Sequence, residues 1–142
     1  MQNFFSSEEE RLILDAIRQA ELQTSGEIKL HVEASCDHDP YVRAQEVFTA
    51  LGLQNTLARN AVLIYWAKES RKIAILGDQG IHERVTSVFW TSTKENMISL
   101  FKKGQNVEAL VSGILEAGRQ LKTYFPYHDQ DQNEIPNDIS FG

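Results

Sequence analysis

The stretch of sequence that decides the fold is Asn60-Ala61-Val62-Leu63-Ile64-Tyr65-Trp66-Ala67. After Asn60 every residue is apolar or aromatic, which is typical of a central strand that is covered on both faces. A polar link at residues 68–71 separates it from a shorter apolar run at 72–76, and this pattern predicts a β-hairpin. The central strand therefore needs packing elements on both sides of the sheet.

The flanking sequence supplies those elements. Apolar residues at helical spacing predict helices at about residues 8–20 and 40–51, and alternation predicts a strand at 28–34 between them. After the hairpin we expect a short helix at about 81–89 and two longer helices that end near 104 and 121. A right-handed crossover makes the first two strands parallel, and the hairpin makes the third strand antiparallel. The predicted fold is a three-layer α/β/α sandwich with a small mixed sheet and helices on both faces.

Charge and length set limits on domain number and partners. The chain has 142 residues and a net charge of -6, which fits one domain and argues against a non-specific nucleic-acid binder. We place the α/β/α domain at residues 1–126. Residues 127–142 carry four acidic residues and no Lys or Arg, and we expect them to form a mobile acidic tail. Those four residues are Asp129, Asp131, Glu134 and Asp138.

Cysteine count and hydropathy bear on location. Cys36 is the single cysteine, so no internal disulfide can form. The first residues have neither a basic nor a long apolar segment, and the apolar run 61–67 is far shorter than the roughly 20 residues that span a bilayer. These features predict a cytoplasmic protein with no membrane insertion.

The predicted topology brings polar residues from three strands to one end of the sheet. Glu27 begins the first strand, Arg59 and Asn60 begin the second, and Asp78 follows the third. Two carboxylates and an amide oxygen suit Ca²⁺ or Mg²⁺, so we expect Glu27, Asn60 and Asp78 to be metal ligands. Arg59 could hold a phosphate, and His82, one turn further on, could act as a ligand or general acid.

Other interpretations of these residues remain open. Asp78 has the position of a helix N-cap, and Glu27 could form an ion pair with Arg59. A rival metal site is Asp37 and Asp39, after the first strand, at the end where open α/β sheets usually bind ligands. Asp39 could instead cap the helix that begins at Pro40.

Four segments together resemble the TPM domain family, whose members include thylakoid lumen proteins, photosystem repair proteins and a nematode receptor modulator. They are Thr24–Ile28, Arg59–Tyr65, Gly77–Ile81 and Tyr124–Pro126. The resemblance implies an α/β/α sandwich and divalent-cation binding, and also the acid phosphatase activity that is claimed for some plant members.

Carried over by position, the resemblance touches Glu27, Asn60 and Asp78 and identifies no nucleophile. Many members of the family have an acidic residue immediately before the Asn of the second strand, where this chain has Arg59. Many also carry a signal peptide and a transmembrane anchor, and neither is apparent in this sequence.

Two functions follow from these observations. One is a regulatory or assembly module in which Ca²⁺ or Mg²⁺ tunes binding to a protein partner. The other is a metal-dependent, acid phosphatase-like hydrolase of phosphomonoesters, with Arg59 and His82 as candidate catalytic residues. The sequence favours the first, because it offers ligands for a hard cation and no convincing nucleophile. It gives no prediction of oligomeric state.

Overall fold

The computed structural model describes residues 4–127 and 134–142, and it contains five helices and four strands in these residues. The elements in chain order are α1 (Ser7–Glu21), β1 (Glu27–Glu33), α2 (Pro40–Ala50), β2 (Ala61–Ala67), β3 (Lys72–Gly77), α3 (Gln79–His82), α4 (Thr91–Lys102), α5 (Asn106–Leu121) and β4 (Ile139–Phe141). None of these helices is long and apolar enough to cross a membrane.

The sheet has the strand order β3-β2-β1-β4. Strands β1 and β2 are parallel, with Glu27 opposite Ala61, and β2 and β3 are antiparallel, with Val62 opposite Gly77. Both relationships were predicted from the sequence and are confirmed. The predicted helix at about 81–89 is wrong in extent, because α3 is a single turn that ends at His82.

Helices cover both faces of the sheet, as the buried run in β2 requires. Because side chains alternate along a strand, Val62, Ile64 and Trp66 join one core with α1, α4 and α5. Leu63 and Tyr65 point the other way, into a smaller core with α2. The three-layer α/β/α sandwich is therefore confirmed.

Strand β4 is a correction to the sequence analysis, which predicted a mobile tail and three strands. Residues 139–141 pair in parallel with residues 30–32 of β1, and the N–H of Gly142 donates to the carbonyl of Val32 at 3.0 Å. The Phe141 ring stacks on that of Phe4, with centroids 5.9 Å apart. Three residues are too few for periodicity to reveal a strand. Asp129 and Asp131, two of the four acidic residues of the predicted tail, lie outside the described residues.

Candidate functional site

The structure places the start of β1, the start of β2 and the end of β3 at one end of the sheet. The N–H of Glu27 donates to the carbonyl of Asn60 at 3.4 Å, and the N–H of Asp78 donates to the carbonyl of Ala61 at 2.9 Å. The backbone convergence expected from the topology is therefore present. The side chains, however, divide into two groups with different partners.

Asp78 belongs to a group with Arg59. The guanidinium of Arg59 donates to both carboxylate oxygens of Asp78, from Nε at 2.7 Å and from Nη2 at 2.9 Å. Asp78 also caps α3, because its Oδ1 accepts the N–H of Gln79 at 2.8 Å. The hydrogen bond to Asp78 raises the pKa of Arg59. Both oxygens of Asp78 are thus engaged within the protein, and its N-cap role is confirmed.

Glu27 belongs to a second group, with Glu21 and Glu134. Its Oε1 accepts the N–H of Glu134 at 2.6 Å, and its carboxyl group hydrogen-bonds to that of Glu21. The Glu21 carboxyl group in turn accepts the N–H of Ile28 at 3.0 Å. The ion pair with Arg59 that the sequence left open does not form, because the guanidinium binds Asp78.

Burial and mutual repulsion disfavour the ionisation of both carboxyl groups in the Glu21–Glu27 pair. Glu27 is only 4% exposed, and burial followed by the negative charge of Glu21 raises its pKa to about 8. Burial also raises the pKa of Glu21. Lys29 lowers the pKa of Glu21, but burial outweighs its charge. Two carboxyl groups so close together therefore share a proton near neutral pH.

Asn60 lies between the two groups in the sheet and has an unused acceptor. It is 2% exposed, and its N–H donates to Oγ1 of Thr56 at 3.3 Å. Its side-chain oxygen Oδ1 is buried with no hydrogen-bond partner in the described part of the chain. A buried unpaired oxygen of this kind costs free energy, so it calls for a partner such as a water molecule or an ion.

The remaining predicted site residues lie apart from these groups. His82 is exposed at the end of α3, and no described hydrogen bond joins its ring to Asp78. At the other end of the sheet, Asp39 caps α2 by accepting the N–H of Tyr41 at 2.8 Å. The Asp37 side chain is fully exposed and lies 2.9 Å from Nδ1 of His38. The cap interpretation of Asp39 is therefore confirmed.

Sequence reasoning missed a buried polar row on β1. The alternation in β1 predicted one covered face, yet Glu27, Lys29, His31 and Glu33 on its polar face are all 4–6% exposed. Glu33 accepts hydrogen bonds from Arg43 and from the Tyr65 hydroxyl. The polar row is thus internal to the protein.

The C-terminal segment covers most of this row and supplies partners to it. Asp138 forms an ion pair with Lys29, and Oγ of Ser140 lies 2.8 Å from Nδ1 of His31. Burial lowers the pKa of His31. Residues 134–142 therefore belong to the same polar assembly as Glu27.

Within residues 4–127 and 134–142, no three His, Cys, Asp or Glu side chains are grouped so that they could hold a metal ion. A cation at this end of the sheet would have two close carboxylates at most, those of Glu21 and Glu27. Its other ligands would have to be amide, backbone or water oxygens, all of which Ca²⁺ accepts.

Comparison with known proteins identifies the class of this domain. The family model of the TPM domain matches residues 1–120, and the chain belongs to this family. No curated protein matches it.

Solved structures agree with the fold. One similar structure is the BA42 protein of the psychrophilic bacterium Bizionia argentinensis, with 44% identity and a TM-score of 0.93 over 100% of this chain and 98% of that one. The N-terminal domain of the cg2496 protein of Corynebacterium glutamicum has 14% identity and a TM-score of 0.64, covering 96% of this chain and 80% of that one. An N-terminal domain from P. gingivalis has 16% identity and a TM-score of 0.71, covering 90% and 84%. The latter two share the fold alone.

Proposed function

We propose that this TPM domain binds a divalent cation, Ca²⁺ or Mg²⁺, beside Glu27, and that the bound cation regulates contact with a protein partner. The observation that carries this proposal is the buried Glu21–Glu27 carboxyl pair. A cation that replaced the shared proton would remove the repulsion between the two carboxylates and give each an ionic partner.

The neighbouring side chains of Asn60 and Asp78 differ in how readily they could bind the cation. The unpaired Oδ1 of Asn60 is a suitable neutral ligand at the same end of the sheet. Asp78, by contrast, would have to leave the bidentate contact with Arg59 before it could bind metal. The proposal therefore places Glu27 and Glu21 at the centre of the site, with Asn60 close by and Asp78 as an ion-pair partner of Arg59.

A regulatory role is supported by the connection between Glu27 and the C-terminal segment. The N–H of Glu134 donates to Glu27, and residues 139–141 of the same segment form the edge strand β4. A cation at Glu27 would change the charge that faces Glu134. It would thereby alter how firmly the segment holds the edge of β1, where an extended chain of a partner could pair.

The hydrolase alternative has less support. Its phosphate-binding candidate, Arg59, already holds Asp78. Among the described hydrogen bonds, His82 meets Asp78 only through the backbone, from its N–H to the Asp78 carbonyl at 3.2 Å. It predicts that the purified protein hydrolyses a generic phosphomonoester and that Asp78→Asn abolishes turnover. A cytoplasmic location likewise stays a prediction from the sequence.

The experiment is a Ca²⁺ and Mg²⁺ titration of the full chain, followed by amide NMR. We expect saturable shifts at residues 21–28, 60 and 134, and Glu27→Gln should abolish them. The exposed Glu95 lies on α4, so Glu95→Gln is the matched control and should leave them unchanged. Shifts centred on Asp37 and Asp39 would move the site to the other end of the sheet, and the absence of saturable shifts would refute cation binding.

The regulatory part of the proposal needs a separate measurement. Hydrogen exchange of the β4 amides should change when the cation saturates Glu27, because the segment shares hydrogen bonds with that residue. Saturable binding with unchanged exchange at residues 139–142 would leave a cation site without the proposed regulation.

A further inference from the structure

A cavity of about 570 Å³ lies at the carboxyl end of β2, opposite the Glu27 end of the sheet. It opens between the β2–β3 hairpin and the end of α4. Four basic residues and no acidic residue line it, although the chain as a whole has a net charge of -6. The rim includes Lys68, Arg71, Lys72 and Lys102, and the floor includes Ile73, Ile98 and Phe101.

The floor of this cavity is apolar and rigidly packed. Ile73 is 6% exposed, and the Phe101 ring stacks on Trp66 with centroids 5.0 Å apart. The Trp66 ring is stacked by Phe5 as well, with centroids 6.3 Å apart. Such a floor favours an apolar ligand body that lies against Ile73, Ile98 and Phe101, without requiring side chains to move.

Three of the four rim cations form no ion pair within the described residues. Lys68, Arg71 and Lys102 take part in none of the ion pairs of the described residues, and Nζ of Lys72 donates to the carbonyl of His38 at 2.9 Å. Several cations around one concave surface repel one another and create a positive potential that an anion relieves. The rim therefore favours a negatively charged ligand.

The backbone at the start of α5 adds to this potential. Helix α5 begins at Asn106, which lines the cavity, and no side chain caps its first turn, so free N–H groups lie at this end of the helix.

We propose that this groove binds a small amphiphilic organic anion. Its anionic head, a carboxylate or a phosphate, binds Lys68, Arg71 and Lys102. Its apolar body lies on Ile73, Ile98 and Phe101. The volume is within the range of small-molecule sites, and a combined apolar floor and charged rim suits a ligand with both parts. This site is separate from the proposed cation site at Glu27.

The probe that tests the groove is octanoate, followed by amide NMR at millimolar concentrations of ligand. We expect saturable shifts at residues 66–73 and 98–106. Acetate has the head without the body, and 1-octanol has a body without the charge, so both should bind at least about tenfold more weakly. Where octanoate binds, equal binding of acetate or 1-octanol would overturn the proposal.

Matched variants locate the binding. Arg71→Gln combined with Lys102→Gln should weaken octanoate binding by about tenfold or more, because two charge-assisted contacts are lost. Both side chains are exposed, so the amide spectrum should show an intact fold. Lys122→Gln changes an exposed lysine beyond α5 and should have no effect. Undiminished binding by the double variant would refute the assigned groove.

The head group is distinguished by octyl phosphate. Whichever of octanoate and octyl phosphate binds more tightly at these residues identifies the preferred head, and the failure of both to bind there overturns the proposal. The cation titration is read at residues 21–28, 60 and 134, whereas the octanoate titration is read at residues of the groove. The cation proposal and the groove proposal can therefore fail independently of each other.

Discussion

Glu33 and Arg43 join β1 to α2 through two hydrogen bonds, from Nε to Oε2 at 2.8 Å and from Nη2 to Oε1 at 2.9 Å. The Tyr65 hydroxyl, from β2, donates to the same carboxylate. Burial opposes the ionisation of Glu33, but hydrogen bonds from Arg43, Tyr65 and His31 outweigh it and lower the pKa to about 2. This network fixes α2 on the polar face of the sheet.

Arg43→Ala should therefore destabilise the protein by about 1–3 kcal/mol, the range for hydrogen bonds to a charged group. The Arg43 side chain is 34% exposed, so water partly replaces it and the loss should be smaller than for a fully buried ion pair. Urea unfolding near neutral pH measures the change. The control is Arg18→Ala, which removes the exposed ion pair with Asp15 and should cost less than about 1 kcal/mol. Equal losses in the two variants would contradict a special role for Glu33.

The same network predicts how acid affects stability. The pKa of Glu33 is lower in the folded chain than the ordinary value of 4.5, so its contribution is present above pH 4.5 and is lost as the pH falls towards 2. In the Arg43→Ala variant the folded pKa should rise towards 4.5, so this part of the acid dependence should shrink. Urea unfolding of both proteins at several acidic pH values tests the comparison.

Glu27 should produce the opposite pH dependence. Its pKa is raised from 4.5 to about 8, so the folded state retains a proton that the unfolded state has lost. The stabilisation is complete below pH 4.5 and is lost as the pH rises to about 8. Glu27→Gln should flatten this slope and leave the protein more stable than the parent at pH 8. A slope that persists in Glu27→Gln would show that another group causes it.

The cation proposal adds a coupled expectation for the same residue. Because a cation must displace the shared proton, Ca²⁺ affinity should increase as the pH rises towards 8. Saturating Ca²⁺ should also offset the loss of stability at high pH, by preferential binding to the folded state. Affinity that does not change between pH 6 and 8 would argue against Glu27 as a ligand.

Truncation after Tyr127 should be strongly destabilising, although the sequence predicted a mobile tail. It removes β4, the Asp138 partner of Lys29 and the Ser140 partner of His31, which would leave the buried ammonium of Lys29 without an ion pair. We expect the free energy of unfolding to fall by roughly 2 kcal/mol or more. Ser140→Ala is the milder comparison, because it removes one hydrogen bond and should cost about 1 kcal/mol. A truncated chain of unchanged stability would show that the segment does not hold the polar row.

The sequence was sufficient for the architecture because the signals for it are long. The seven apolar residues of β2, with a polar link after them, are typical of a strand buried on both faces, and chain handedness then orders β1 and β2. The same topology predicted that Glu27, Asn60 and Asp78 meet at one end of the sheet. That part of the candidate site needed only the positions of strand ends.

The pairing of side chains could not be predicted in the same way. Glu21 meets Glu27 across a loop, and loop geometry has no periodicity from which contacts follow. Strand β4 has three residues, too few for a pattern. One available signal was overlooked. Strand β1 lies beside β2, and the helices that cover both faces of β2 can also cover both faces of β1. This inference would have predicted that Lys29 and His31 are buried.

Gly80 tests whether the Arg59–Asp78 group depends on close backbone contact. A Cβ at this position would lie 2.3 Å from the carbonyl oxygen of Ala58 and 2.7 Å from that of Arg59. Neither backbone oxygen can move unless the start of β2 is displaced or α3 turns away from β2. The N–H of Gly80 donates to the same Arg59 carbonyl at 2.8 Å, and this hydrogen bond holds α3 against the start of β2. Gly80→Ala should therefore cost about 1–3 kcal/mol, as overpacking usually does.

The matched variant is Gly113→Ala, within α5. There the added Cβ would meet Met97, 2.3 Å from its Sδ and 2.6 Å from its Cε, and a methionine side chain can rotate away. Alanine also improves helix propensity by about 1 kcal/mol, which offsets part of the crowding. Urea unfolding should thus show a larger loss for Gly80→Ala than for Gly113→Ala. NMR shifts of Gly80→Ala should concentrate at Arg59 and Asp78, since displaced α3 weakens their contact. A harmless Gly80→Ala would mean that α3 is not fixed against the start of β2.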